Sequence, residues 1–162
     1  PSGPTATITP VVAGDVLVAG ARDGPVHAFD RASGSIRWKM QPFPIPQASI
    51  PAHIRDVHAL ATCGDVVFVG STSTLVAALD ARSGQEFWRT AGSLASADGV
   101  SCDGRSVFVM RPLGGLQVID AATGQERWEI GYPDNDFWTG VLTEGDRVYG
   151  GGIEGLYALR YD

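Results

Sequence analysis

The feature that most constrains this chain is that it repeats itself. Three segments align without gaps: Ala28-Phe-Asp30-Arg-Ala-Ser33-Gly34-Ser-Ile-Arg-Trp38, Ala78-Leu-Asp80-Ala-Arg-Ser83-Gly84-Gln-Glu-Phe-Trp88 and Val118-Ile-Asp120-Ala-Ala-Thr123-Gly124-Gln-Glu-Arg-Trp128. A fourth begins as Ala158-Leu159-Arg160, with Arg160 where the others have Asp. A fixed period means one supersecondary unit packed against copies of itself, since a unit this short cannot bury its apolar face alone. The anchor positions 30, 80, 120 and 160 are separated by 50, 40 and 40 residues, which places an insertion of about ten in the first interval. That insertion is the Pro-rich stretch 41–57.

Within each period, apolar and β-branched runs of four to six residues alternate with Gly, Asp and Ser clusters, the texture of short strands joined by turns. The first period gives strands at Ile8–Val12, Val16–Ala19, Val26–Phe29 and Ile36–Met40. The second gives 58–62, 66–69, 75–79 and 86–90; the third gives 99–102, 106–110, 116–119 and 127–130. The fourth offers only three, at 139–143, 147–150 and 156–160. Four antiparallel strands per unit of about forty residues predict an all-β chain, a β-propeller with repeats over 5–40, 57–90, 98–130 and 138–162. A sandwich is the competing all-β fold, but it gives no reason for one string to recur three times in register.

Composition narrows the function classes. Twelve basic against 18 acidic residues give a net charge of −6, and the eleven Arg and the single Lys39 are scattered, which argues against nucleic acid as a partner. No apolar run approaches the ~20 residues of a membrane-spanning helix. Cys63 and Cys102 lie 39 residues apart at matching places near the ends of first strands, where the other repeats have Ala13 and Thr143. Small buried side chains account for them better than a disulfide does.

The recurring Ala-x-Asp-x-x-Ser/Thr-Gly-x-x-x-Trp string resembles the docking motif of the quinoprotein, or PQQ-like, β-propeller family, and the resemblance covers nearly the whole chain. It implies that Ala28, Asp30, Gly34 and Trp38, then Ala78, Asp80, Gly84 and Trp88, then Asp120, Gly124 and Trp128, are structural. Each Gly would close the turn between third and fourth strands, and each Trp would be buried against a neighbouring blade. The sequence departs from the motif at Val118, at Ser33 and Ser83, and most in the fourth repeat.

The family's dehydrogenases carry adjacent cysteines, a calcium, a catalytic Asp and a Trp under the quinone, and most of that set is missing here. The acidic cluster Asp134-Asn135-Asp136 has oxygens at alternate positions, as a calcium loop would, but follows Tyr132-Pro133 and reads first as a turn. His27, His53 and His58 fall in three settings with no nucleophile motif, and Gly150-Gly151-Gly152 reads as a hairpin connection rather than a phosphate loop. The expectation is therefore a non-catalytic propeller without a cofactor or metal.

Its candidate binding surface is the set of loop residues Phe43, His53, Arg55, Tyr132, Phe137 and Trp138, aromatic groups with an Arg, the usual make-up of a protein-binding centre. The partner expected is a protein or further propeller blades, because four repeats are about half of a seven- or eight-bladed ring. The resemblance implies an extracytoplasmic bacterial setting, as in outer-membrane assembly propellers or kinase-linked sensor propellers. The fourth repeat should lack a fourth strand of its own.

Overall fold

The computed structural model describes residues 8–20, 25–41, 57–71, 76–90, 97, 99–111, 115–131, 140–152 and 155–161. These form fifteen strands: β1 Val11–Ala13, β2 Val16–Gly20, β3 Val26–Asp30, β4 Ile36–Met40, β5 Val57–Cys63, β6 Val66–Ser71, β7 Val76–Asp80, β8 Glu86–Arg89, β9 Gly99–Cys102, β10 Ser106–Arg111, β11 Gly115–Asp120, β12 Glu126–Gly131, β13 Val141–Glu144, β14 Arg147–Gly152 and β15 Gly155–Arg160. They sort into antiparallel meanders β1–β4, β5–β8 and β9–β12, with β13–β15 as a three-stranded fourth blade. The first strands lie side by side in chain order, β1 against β5, β5 against β9 and β9 against β13, so the blades fan around a common axis.

Strand periodicity explains why the blades stack. Alternate side chains point to opposite faces, so a strand buried on both sides must be apolar at nearly every position. Strand β6 shows this: Val67 and Val69 join the first blade's Val16, Val18, Val26 and Ala28 in one core, while Phe68, between them, joins Val107, Val109 and Ile119 of the third blade in the next. A third core sets Phe108, Met110, Leu116 and Val118 against Val148 of the fourth blade.

Four sequence expectations need correction. The first strand begins at Val11 rather than Ile8. Gly150, Gly151 and Gly152 are not a hairpin connection; they lie in β14, opposite Tyr157, Leu156 and Gly155, where their backbones continue the ladder to β15. Trp38, Trp88 and Trp128 are half-buried rather than buried, since a fourth strand is the outer edge of its blade and one side of each indole faces solvent. Cys63 and Cys102 form a disulfide across the second and third blades, with Cα atoms 6.1 Å apart.

That disulfide follows from register. Cys63 pairs with Val66, whereas Cys102 pairs with Val107, so the two are not at matching positions but one residue out of step. A one-residue slip turns a side chain to the other face of its sheet. Cys63 therefore looks from the second blade toward the third, and Cys102 looks back. The position equivalent to Cys102 is Thr62 in the second blade and Thr143 in the fourth, by their pairing with Val67 and Val148. Thr62 Oγ1 donates to Val12 O at 3.2 Å and Thr143 Oγ1 donates to Cys102 O at 3.2 Å. Each of the three junctions between the described blades is thus tied at this height, two by a hydroxyl and the middle one by a covalent bond.

Candidate functional site

The repeated string builds one device three times. Asp30 Oδ1 accepts from the backbone N–H groups of Ala32 and Ser33 and from Ser33 Oγ; Asp80 does the same with Arg82 and Ser83, and Asp120 with Ala122 and Thr123. This is an Asx-type turn, in which a short acidic side chain substitutes for a backbone acceptor. Gly34, Gly84 and Gly124 then adopt φ of 71°, 74° and 73°, a conformation that penalises any residue with a Cβ.

Charge reinforces two of the turns. Arg37 bridges Asp30 and Asp15 and holds the Asp30 carboxyl well below the usual carboxylate range. Arg127 lies 2.5 Å from Asp120 Oδ2 and, with Thr123, draws that carboxyl down to about 2. The second blade has Phe87 at the arginine position, and Asp80 is lowered chiefly by its bond from Ser83.

The fourth strand then delivers the indole to the following blade. Trp38 Nε1 donates to Ala81 O at 2.9 Å, and Trp88 Nε1 donates to Ala121 O at 3.0 Å. In each case the ring lies on the next motif's glycine. A Cβ built on Gly84 would come within 2.8 Å of the Trp38 ring, and one on Gly124 within 2.6 Å of the Trp88 ring. The glycine so does two jobs, closing its own turn and leaving room for the preceding blade's tryptophan. Trp128 packs in the third-to-fourth blade core, where the residue equivalent to Ala81 and Ala121 is Tyr161. Its hydroxyl lies 2.8 Å from Asp103 Oδ2 and its ring 4.7 Å from that of Phe108; burial, then Asp103, pushes the phenol up to about 12.

Of the residues expected to bind a partner, Phe43, His53, Arg55, Tyr132, Phe137 and Trp138 lie outside the described residues, as do Asp134 and Asp136. Among the described residues no cluster of His, Cys, Asp and Glu is placed to hold a metal ion. His27 is buried beside the Phe29 ring at 6.1 Å, and burial lowers its basicity. Three clefts stand out. One of about 290 Å³ lies where the first strands converge, between Thr9, His58, Gly99 and Gly140. The other two sit on the outer faces of the end blades, about 420 Å³ on the first and about 640 Å³ on the fourth.

A family model described as outer membrane protein assembly factor BamB matches residues 2–96 and 72–158. The chain belongs to the PQQ-like β-propeller family. It is 31% identical to BamB of Pseudomonas aeruginosa over 124 residues, which are 75% of this chain and 32% of that protein. It is 30% identical over 129 residues to serine/threonine-protein kinase AfsK of Streptomyces coelicolor, covering 80% of this chain and 14% of the kinase. The chain therefore spans about a third of the one relative and a seventh of the other. The fold is shared with the crystal structure of Moraxella catarrhalis BamB, at a TM-score of 0.74 and 22% identity over 96% of this chain and 45% of that one. It is also shared with the computationally designed Ika4 protein, at a TM-score of 0.83 and 18% identity over 100% and 94% of the two chains.

Proposed function

We propose that this chain is a non-catalytic propeller segment that presents its loops to a protein partner outside the cytoplasm. The observation that carries the reading is that the motif's acidic, hydroxyl and indole groups are committed to turns and docks. Asp30, Asp80 and Asp120 accept from their own turns, and the Trp38 and Trp88 N–H groups are bonded to the next blade. The repeat thus spends its chemistry on rigidity, which is what a scaffold for variable loops requires. The Cys63–Cys102 bridge supports the compartment, since structural disulfides persist where the surroundings are oxidising. It also argues against a quinone dehydrogenase, because it occupies both cysteines of the chain in a bond between blades rather than between neighbours.

The matched BamB is named for outer membrane protein assembly, so the probe is a urea-unfolded outer membrane protein, titrated by calorimetry. Binding is expected, and it should be lost without change in melting when the loop residues 42–56 and 132–138 are replaced by Gly/Ser linkers, leaving β5 and β12 intact. Binding that survives both replacements, or dye reduction with pyrroloquinoline quinone, calcium and an alcohol, would overturn the reading. The match to AfsK favours a second reading, a sensor segment joined to a kinase. A kinase domain in the same open reading frame would select it.

A further inference from the structure

The arginine that braces the motif turn is present in the first and third blades and missing from the second, between them. Each third-to-fourth strand ladder has a register shift just before its tryptophan, and the residue left out of the pairing is Arg37, Phe87 and Arg127 in turn. In the first blade Arg37 Nη2 lies 2.5 Å from Asp15 Oδ2 and 2.5 Å from Asp30 Oδ2, so one guanidinium closes a pair of carboxylates. The second blade keeps the pair. Asp65 follows Gly64 in the β5–β6 turn as Asp15 follows Gly14 in the β1–β2 turn, and Asp80 faces Val66 as Asp30 faces Val16. The backbone frame is shared too: Ala81 N–H donates to Asp65 O at 2.8 Å where Arg31 N–H donates to Asp15 O at 3.0 Å.

Asp80 commits Oδ1 to its own turn, and no described residue bonds its Oδ2. The Asp65 side chain is 63% exposed; Arg82 stands 3.9 Å from it, beyond hydrogen-bond reach, and 4.0 Å from Asp15. Phe87 is 55% exposed, and Glu86 beside it is occupied by Arg89.

We propose that Asp65, Asp80 and Phe87 form a receptor for an arginine side chain in a basic segment of a protein partner, which supplies in trans the guanidinium that Arg37 supplies in cis. The first blade points to the ligand, since the equivalent carboxylates there hold a guanidinium between them. Arginine fits better than lysine, because a planar guanidinium can reach two carboxylates while lying against the Phe87 ring. The net charge of −6 favours a basic partner over an acidic one. The receptor sits at the motif-turn end of the second blade, whereas the loops 42–56 and 132–138 leave from the opposite ends of β4 and β12, so this surface is separate from the loop surface proposed above.

The test titrates the isotope-labelled 162-residue chain with an acetylated tetra-arginine amide at low ionic strength and follows backbone amides by NMR. The Ser83 and Phe87 signals should shift to saturation, while those of Ser33 and Thr123, in the turns already braced by arginine, stay in place. Phe87→Arg fills the position in cis and should abolish the shifts at Ser83. Asp65→Asn should weaken binding about threefold, the scale of one exposed ion pair, and Phe87→Ala should weaken it about threefold by removing the ring. Tetralysine amide should bind several-fold more weakly than tetra-arginine. Shifts spread evenly over the three motif turns, undiminished binding by Phe87→Arg, or equal binding of tetralysine at the same residues would overturn the proposal.

Discussion

The first and second blades are made from the same strands and the same turn, but they end up in different environments. Val67 and Leu79 are wholly buried, while their register equivalents Leu17 and Phe29 are half-open, and Gly84 carries an indole where Gly34 carries nothing among the described residues. The difference lies in the neighbour and not in the blade. In a fan of sheets the junction is the unit of stability, so each repeat supplies half of two junctions and completes neither alone. The fourth blade shows the same at the other end: Leu142 and Leu156, on the face turned away from the third blade, are 65% and 78% exposed.

The largest effect expected from breaking a filled junction is that of Trp88→Ala. It removes the ring packed on Gly124 and on Phe68, with centroids 5.8 Å apart, together with the bond to Ala121. The loss should be roughly 3 to 5 kcal/mol by chemical denaturation, and melting within a degree of the parent would refute the dock. Next comes the covalent tie. Replacing Cys63 and Cys102 by alanine should cost about 2 to 4 kcal/mol, since the bridge closes a loop spanning 39 residues. Reduction of the parent should reproduce that loss, and insensitivity to reductant would remove the bridge from the account.

The glycine pair sharpens the comparison directly. Gly34→Ala should cost about 1 to 2 kcal/mol, the penalty of a Cβ at positive φ. Gly124→Ala carries that penalty plus the clash with Trp88, a further 1 to 3 kcal/mol. Equal costs would mean that the two seats do not differ.

The smallest effect is on pH dependence. Asp120, lowered to about 2, and Asp30 and Asp80, also lowered, contribute stability that is present above the ordinary carboxylate value near 3.8 and lost as pH falls toward the folded values. Melting temperature should therefore be flat from pH 7 to about 5 and decline between about pH 4 and 2. Asp120→Asn should make that decline shallower; an unchanged profile would count against the turn bonds as its source.

Much of this was legible in the sequence for physical reasons. Short apolar and β-branched runs between turn clusters revealed the strands, and Asp, Ser/Thr and Gly at fixed offsets announced the turn, because those side chains act on their own backbone. What was not legible depends on a second blade. The acceptor for Trp38 is the backbone carbonyl of Ala81, which leaves no side-chain signature. The double role of Gly84 is invisible because its turn already explains a glycine. The disulfide did leave a trace. Cys102 stands four residues before Ser106 and Cys63 only three before Val66, the equivalent position, so the two cysteines are out of step by one residue. Matching the cysteines by their nearness to the strand end concealed that offset. The aromatic loop residues had no motif to place them, since a binding loop is defined by its partner.

The central claim, that the repeat's tryptophan and glycine form a dock between blades, is tested most directly by a double-mutant cycle between Trp88→Ala and Gly124→Ala, with Gly34→Ala as the control. Once the indole is gone the alanine at 124 has nothing to strike, so the cycle should show a coupling of about 1 to 3 kcal/mol, the double variant being more stable than the sum of the single losses. Trp88→Ala and Gly34→Ala should add independently. Additivity in both cycles would contradict the account.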